Sequence, residues 1–122
     1  MSSTVSNNSS PINYIEFAAR DLFKIKTFYA KAFAWVFTDY GPDYTAFENS
    51  GICGGFYKAD KQADADLGSA LVVLYADKLE DCLHRVESLG GSIKTPIFDF
   101  PGGRRFHFLD PCNNELAVWS DK

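Results

Sequence analysis

Positive charge is in short supply in this chain. Twelve lysines and arginines stand against sixteen acidic residues, a net charge of −4. That deficit argues against nucleic acid as a partner, since nucleic acid is held mainly through a basic footprint. It argues equally against an anionic membrane surface. Long apolar runs are missing too: none approaches the ~20 residues that a membrane-crossing helix needs, so a soluble protein is expected. Cysteine is sparse, and Cys53, Cys82 and Cys112 are odd in number with no Cys-x-x-Cys pair. A disulfide framework is not expected, and a reducing cytoplasm is the natural compartment. The polar start Met1–Ser10 has neither a basic segment nor an apolar stretch, and so does not read as a signal peptide. Gly54-Gly55 and Gly102-Gly103 are not followed by Gly-Lys-Ser/Thr. They permit strand curvature rather than cradle phosphate.

Aromatic bulk, by contrast, is plentiful. Eleven Phe, six Tyr and two Trp in 122 residues can fill the core of a single domain or wall a cavity. Leu22, Ile25, Phe28, Tyr29, Ala32 and Phe33 recur on one face of a helix, with Asp21 placed as its N-cap. Leu79, Cys82, Leu83, Val86 and Leu89 repeat the pattern. Asp77 and Glu80 make a capping-box-like start there, and Gly90-Gly91 a left-handed stop. Short apolar strands precede the helices, at Ile12–Ala18 and Ala70–Ala76. Three strands follow the first helix: Trp35–Tyr40, Tyr44–Glu48 and Ile52–Lys58. Three follow the second: Ser92–Phe98, Arg104–Leu109 and Glu115–Trp119.

The chain is thus β-α-β-β-β written twice, with Leu22 and Leu79 at equivalent points after an aspartate. The expected organisation is a polar tail over 1–11 and one domain over 12–122. Within it lie module one at about 12–58, a linker over 59–68 and module two at about 69–119. The expected fold class is α+β: two βαβββ modules with curved mixed sheets facing a shared cavity and the helices outside.

On these modules the sequence resembles the vicinal oxygen chelate superfamily of glyoxalases, bleomycin-resistance proteins and extradiol dioxygenases. The resemblance rests on Ile12–Phe17, on Asp21-Leu22 leading to Phe28-Tyr29 and Phe33-Ala34-Trp35, and on Gly51–Phe56. It also rests on the closing Phe108–Asn114 with Val118-Trp119. It is nearest to small proteins related to lactoylglutathione lyase. Relatives that carry a divalent metal place His or Glu on the first and last strands of each module. Here the resemblance puts those positions at Tyr14, Leu71 and Ala117, and Ile52–Tyr57 holds no carboxylate or imidazole. Too few N/O donors remain for a catalytic ion, and no metal or other cofactor is expected.

Strand parity sorts what is left, because alternate side chains face opposite sides. The cavity is expected to be lined by Tyr14, Glu16, Tyr75, His107, Glu115 and Trp119, with Ala18 and Val73 among them. Glu16 is either a general base raised by apolar neighbours or a rim carboxylate paired with Arg20, Arg104 or Arg105. Glu115 reads as a solvated carboxylate after a turn. His107, between Phe106 and Phe108 and opposite to both in parity, is the best acid–base candidate, whereas His84 is an exposed helix residue. Cys53 reads as a small buried hydrophobe.

Two functions follow. One is a metal-independent module that binds a small organic molecule. The other is an enzyme, a lyase or isomerase of the glyoxalase type, with Glu16 or His107 as catalytic base or a metal at a displaced site. A homodimer is expected for either, because a lone pair of modules leaves aromatic surface exposed.

Overall fold

The computed structural model of the chain describes residues 10–122, so most of the polar tail lies outside the described residues. The elements run β1 (Ile15–Ala19), α1 (Leu22–Phe33), β2 (Val36–Asp39), β3 (Tyr44–Glu48) and β4 (Gly54–Lys58). After a single 3-10 turn at Ala65–Leu67 come β5 (Val72–Tyr75), α2 (Leu79–Ser88), β6 (Ser92–Phe100), β7 (Gly103–Leu109) and β8 (Glu115–Ser120). No helix among these residues is long and apolar enough to cross a membrane.

The capping chemistry differs between the helices. Asp21 caps α1 as expected, its carboxylate accepting from the Lys24 amide at 3.0 Å. Lys78, not Asp77, occupies the N-cap of α2 and makes no side-chain cap bond. Asp77 instead accepts from Lys122 Nζ at 2.7 Å, and Glu80 is drawn to Arg104. The C-terminus of α2 closes as the glycines dictate. Gly90, at φ +104°, donates to Glu87 and Gly91 donates to Val86, the paired bonds of a Schellman stop.

The sheets repeat one topology, with orders β1-β4-β3-β2 and β5-β8-β7-β6. In each, the first strand runs parallel to the fourth and the remaining pairs are antiparallel. The α+β fold is therefore two mixed four-stranded sheets, neither closed into a barrel, each with a helix against one face. β1 starts at Ile15 rather than Ile12, because pairing begins where Ile15 meets Gly54. For the same reason Ile52 and Cys53 precede β4 and are exposed. Cys53 is not the buried hydrophobe expected of it.

One core joins the modules on their helix-bearing faces. Tyr29 stacks on Trp35 at 4.5 Å, and Phe28 and Phe33 of α1 each reach Phe108 of β7 at 6.0 Å. The turn before β8 fastens this arrangement. Asp110, almost fully buried, accepts from the Cys112 and Asn114 amides (2.8 and 3.1 Å) and from the Tyr29 hydroxyl at 2.8 Å. Asn114 donates to Ala18 O at 2.8 Å, crossing from module two to module one. Asn113 takes φ +67°, a left-handed turn that asparagine tolerates better than most residues.

Among the described residues, no helix lies on the opposite face of either sheet. Tyr14, Val36 and Tyr57 stand exposed on one, Val73 and Tyr75 on the other.

Candidate functional site

The chemistry concentrates on the helix-free face of module two. Pairing of His107 with Ala117 and of Arg105 with Trp119 puts these four residues on that face, while Phe106, Phe108, Leu116 and Val118 turn into the core. A continuous stripe crosses the sheet. Tyr75 meets Trp119 edge-on at 5.2 Å, and Trp119 meets Phe100 at 6.2 Å. The Arg105 guanidinium lies over Phe100 and Phe98 at 5.6 and 5.3 Å. Phe98 packs on His107 at 5.9 Å, and His107 Nδ1 stands 3.0 Å from Glu115 Oε2. A cavity of about 340 Å³ opens over the middle of the stripe, lined by Val73, Phe100, Pro101, Gly102, Arg105 and Trp119.

Glu115 anchors the polar end. It is buried rather than solvated, because the linker folds across it: Ala63 O accepts its amide, and its Oε1 accepts from Ala65 N. Lys94 Nζ donates to the same carboxylate at 2.7 Å. Burial alone would push the Glu115 pKa up. The hydrogen bonds from Lys94 and His107 outweigh it and hold the carboxyl below its usual range. Lys94, bound also to Asp66, is held above its usual value. A carboxylate only accepts, so Nδ1 of His107 is the donor and the neutral ring carries its lone pair on Nε2. No hydrogen bond to Nε2 occurs among the described residues. That is an imidazole oriented for proton transfer, with the carboxylate behind it and the aromatic stripe beside it.

Tyr14 and Glu16 belong to the other sheet. The Tyr14 and Tyr44 hydroxyls are 2.5 Å apart, and Tyr44 donates to Glu16 Oε2 at 2.9 Å. Burial, then the bonds to Tyr14 and Glu16, raise the Tyr44 pKa. Gly55, opposite Glu16 on β4, makes room: a methyl group there would collide with the Tyr44 ring. Glu16 is exposed and has neither expected surrounding. Arg20 is taken by Asp60, Arg104 by Glu80 and Arg105 by its rings.

Within the chain, therefore, the six expected residues fall on two faces. Tyr75, His107, Glu115 and Trp119 share one stripe, and Tyr14 and Glu16 form a separate pair through Tyr44. No hydrogen bond or ring contact joins the two groups among the described residues. Lys94, Phe98 and Phe100 escaped the sequence reading, which weighed Arg105 only as a partner for Glu16. Strand β6 slips register between Ile93 and Thr95 and again between Thr95 and Phe98, which defeats parity counting. A more capacious groove of about 530 Å³ runs between the ends of the two helices. It is lined by scattered charges of both signs, among them Lys31, Asp77 and Arg85, and lacks a convergent acid–base pair.

The residues at the superfamily's metal positions do not fit a divalent ion. Leu71 and Ala117 are hydrocarbon, Ala117 is fully buried, Tyr14 is engaged with Tyr44, and β4 offers only Gly54, Gly55, Phe56, Tyr57 and Lys58. Asp64, Asp66 and Glu115 do bring carboxylate oxygens within 4.8 Å of one another. Lys94 already serves as their cation, 2.8 Å from Asp66.

A family model described as the Glyoxalase/Bleomycin resistance protein/Dioxygenase superfamily matches residues 11–118. No curated protein matches the chain. Solved structures with the same fold include a glyoxalase/bleomycin resistance protein/dioxygenase family enzyme from Burkholderia phytofirmans PsJN. It is 13% identical with a TM-score of 0.77, over 93% of this chain and 100% of that one. The fosfomycin resistance protein FosX from Listeria monocytogenes is 18% identical with a TM-score of 0.77, over 93% and 95%. A lactoylglutathione lyase from Agrobacterium tumefaciens is 19% identical with a TM-score of 0.69, over 93% and 96%. At such identities the likeness is one of fold.

Proposed function

The chain belongs to the Glyoxalase/Bleomycin resistance protein/Dioxygenase superfamily, and on that footing we propose that it binds a small organic molecule on the helix-free face of module two, without a divalent metal. The observation that carries the reading is the aromatic stripe ending in the His107–Glu115 pair, with a 340 Å³ cavity above it. Concave, mostly apolar surface with a few convergent polar groups is what small-molecule sites offer. Two copies complete the site, module one of one chain covering module two of the other. Tyr14 and Glu16 then join the ligand from across the interface. The exposed Tyr14, Val36, Tyr57, Val73 and Tyr75 support that arrangement. Three free thiols suit a cytoplasmic protein.

Trp119→Ala should weaken binding of an aromatic fragment, and EDTA should leave it unchanged. Stoichiometric zinc or nickel held through Tyr14 and Glu16, with binding lost on chelation, would sink the reading. Light scattering should give a dimer at micromolar concentration, and a monomer there would remove the shared site.

A second reading is favoured by the orientation of His107. With Nδ1 given to Glu115, its Nε2 serves as general base in a lyase or isomerase reaction. His107→Gln would then abolish turnover while sparing fragment binding. Equal loss of both would return His107 to a binding role.

A further inference from the structure

We propose that Arg105 makes this face a receptor for an organic acid: a flat apolar body on the Trp119–Phe100 wall, with its carboxylate on the Arg105 guanidinium. The inference rests on the small-molecule reading of the same face and names the chemical class.

The four arginines of the chain provide the contrast. Arg20 binds Asp60, Gln62 and Cys112 O; Arg85 binds Ala32 O; Arg104 binds Glu80 and Lys122 O. The Arg105 side chain alone donates no hydrogen bond among the described residues. Among the described residues its Nε is the one buried side-chain nitrogen or oxygen without a partner. A guanidinium nitrogen shut off from water ordinarily finds an acceptor, since burial removes the water that would otherwise satisfy it. Two phenyl rings lie under the Arg105 guanidinium, which holds it in place without neutralising it. Within one chain no carboxylate lines the cavity over it: Val73, Phe100, Pro101, Gly102 and Trp119 are all uncharged. A positioned cation without a counter-charge, in a protein of net charge −4, is complementary to an anion. The surrounding rings require that the anion carry an apolar body. A guanidinium fork matches the two oxygens of a carboxylate. About 340 Å³ suits a ligand near the small end of the usual pocket range.

The test titrates benzoate, benzamide and benzylamine into the unmodified protein, following the Trp119 indole and Arg105 Nε–Hε signals by nitrogen–proton NMR. Benzoate should bind roughly tenfold or more tighter than benzamide, the discrimination expected of a charged hydrogen bond. Benzylamine should bind weakest, and only benzoate should shift the Arg105 signal. Arg105→Gln should erase the preference for benzoate over benzamide. Equal binding of benzoate and benzamide, or preference for benzylamine, would overturn the organic-acid proposal and leave the small-molecule site standing. Silence of Trp119 toward all three probes would overturn both. Arg105→Gln that breaks a dimer without changing benzoate affinity would assign the guanidinium to a second copy of the chain and overturn the proposal.

Discussion

Asp110→Asn is the substitution whose consequence can be worked furthest. Burial raises the Asp110 carboxyl from its ordinary 3.8 to about 6, against the lowering pull of Tyr29 and the Asn114 and Cys112 amides. Ionising it in the folded protein therefore costs about 3 kcal/mol more than in the unfolded chain. The sign follows from a folded pKa above the unfolded one. The stabilisation is fully present below about pH 4, declines as pH rises, and is gone above about pH 6. The asparagine amide keeps the geometry: its oxygen accepts from the Cys112 and Asn114 amides, and its nitrogen donates to the Tyr29 oxygen. Only the titration is removed. Urea unfolding of both proteins from pH 7.5 down to pH 4 isolates it. Exposed carboxylates held low, such as Glu80 at about 2, act alike in both proteins and cancel. Relative to the variant, the natural protein should gain up to about 3 kcal/mol between pH 6.5 and 4. A difference flat to about 0.5 kcal/mol over that range would refute the burial argument.

Other outcomes follow from packing and charge. Phe108→Ala should cost about 3–5 kcal/mol in urea unfolding. It should leave a single transition seen alike by fluorescence and circular dichroism, because Phe108 belongs to both modules through Phe28 and Phe33. Ala34 ends α1 at φ +61° while exposed, a conformation costly for a residue with a Cβ. Ala34→Gly should raise stability by about 0.5–1 kcal/mol in thermal unfolding. Lys94→Met strips the ammonium from buried Glu115 and should cost about 2 kcal/mol at pH 7. That cost should shrink as the pH falls, because Glu115 without the ammonium takes up its proton at a higher pH than the depressed carboxyl of the natural protein.

The helices and the duplication could be read from the chain because both are local. The 3.6-residue recurrence of Leu22, Ile25, Phe28 and Tyr29 needs no distant partner, and the same topology reappears after Leu79. Trp119 and His107 could be placed on the helix-free face because β7 and β8 keep perfect alternation. What could not be read depends on segments far apart in sequence. Glu115 is buried by the linker at Ala63 and Ala65 and neutralised by Lys94 from another strand. Arg105 meets Phe98 and Phe100 only after two register shifts in β6. Asp77 has the spacing of a cap, yet Lys122 competes for it successfully.

The central claim, a metal-independent small-molecule site on the helix-free face of module two, is tested most directly by one titration. Chelator-treated, nitrogen-labelled protein is titrated with a library of aromatic fragments, and every backbone and indole shift is mapped. The account expects shifts centred on Tyr75, Arg105, His107 and Trp119 with no metal present. Shifts confined to the groove between the helix ends, or binding that appears only after zinc, nickel or magnesium is restored, would contradict it.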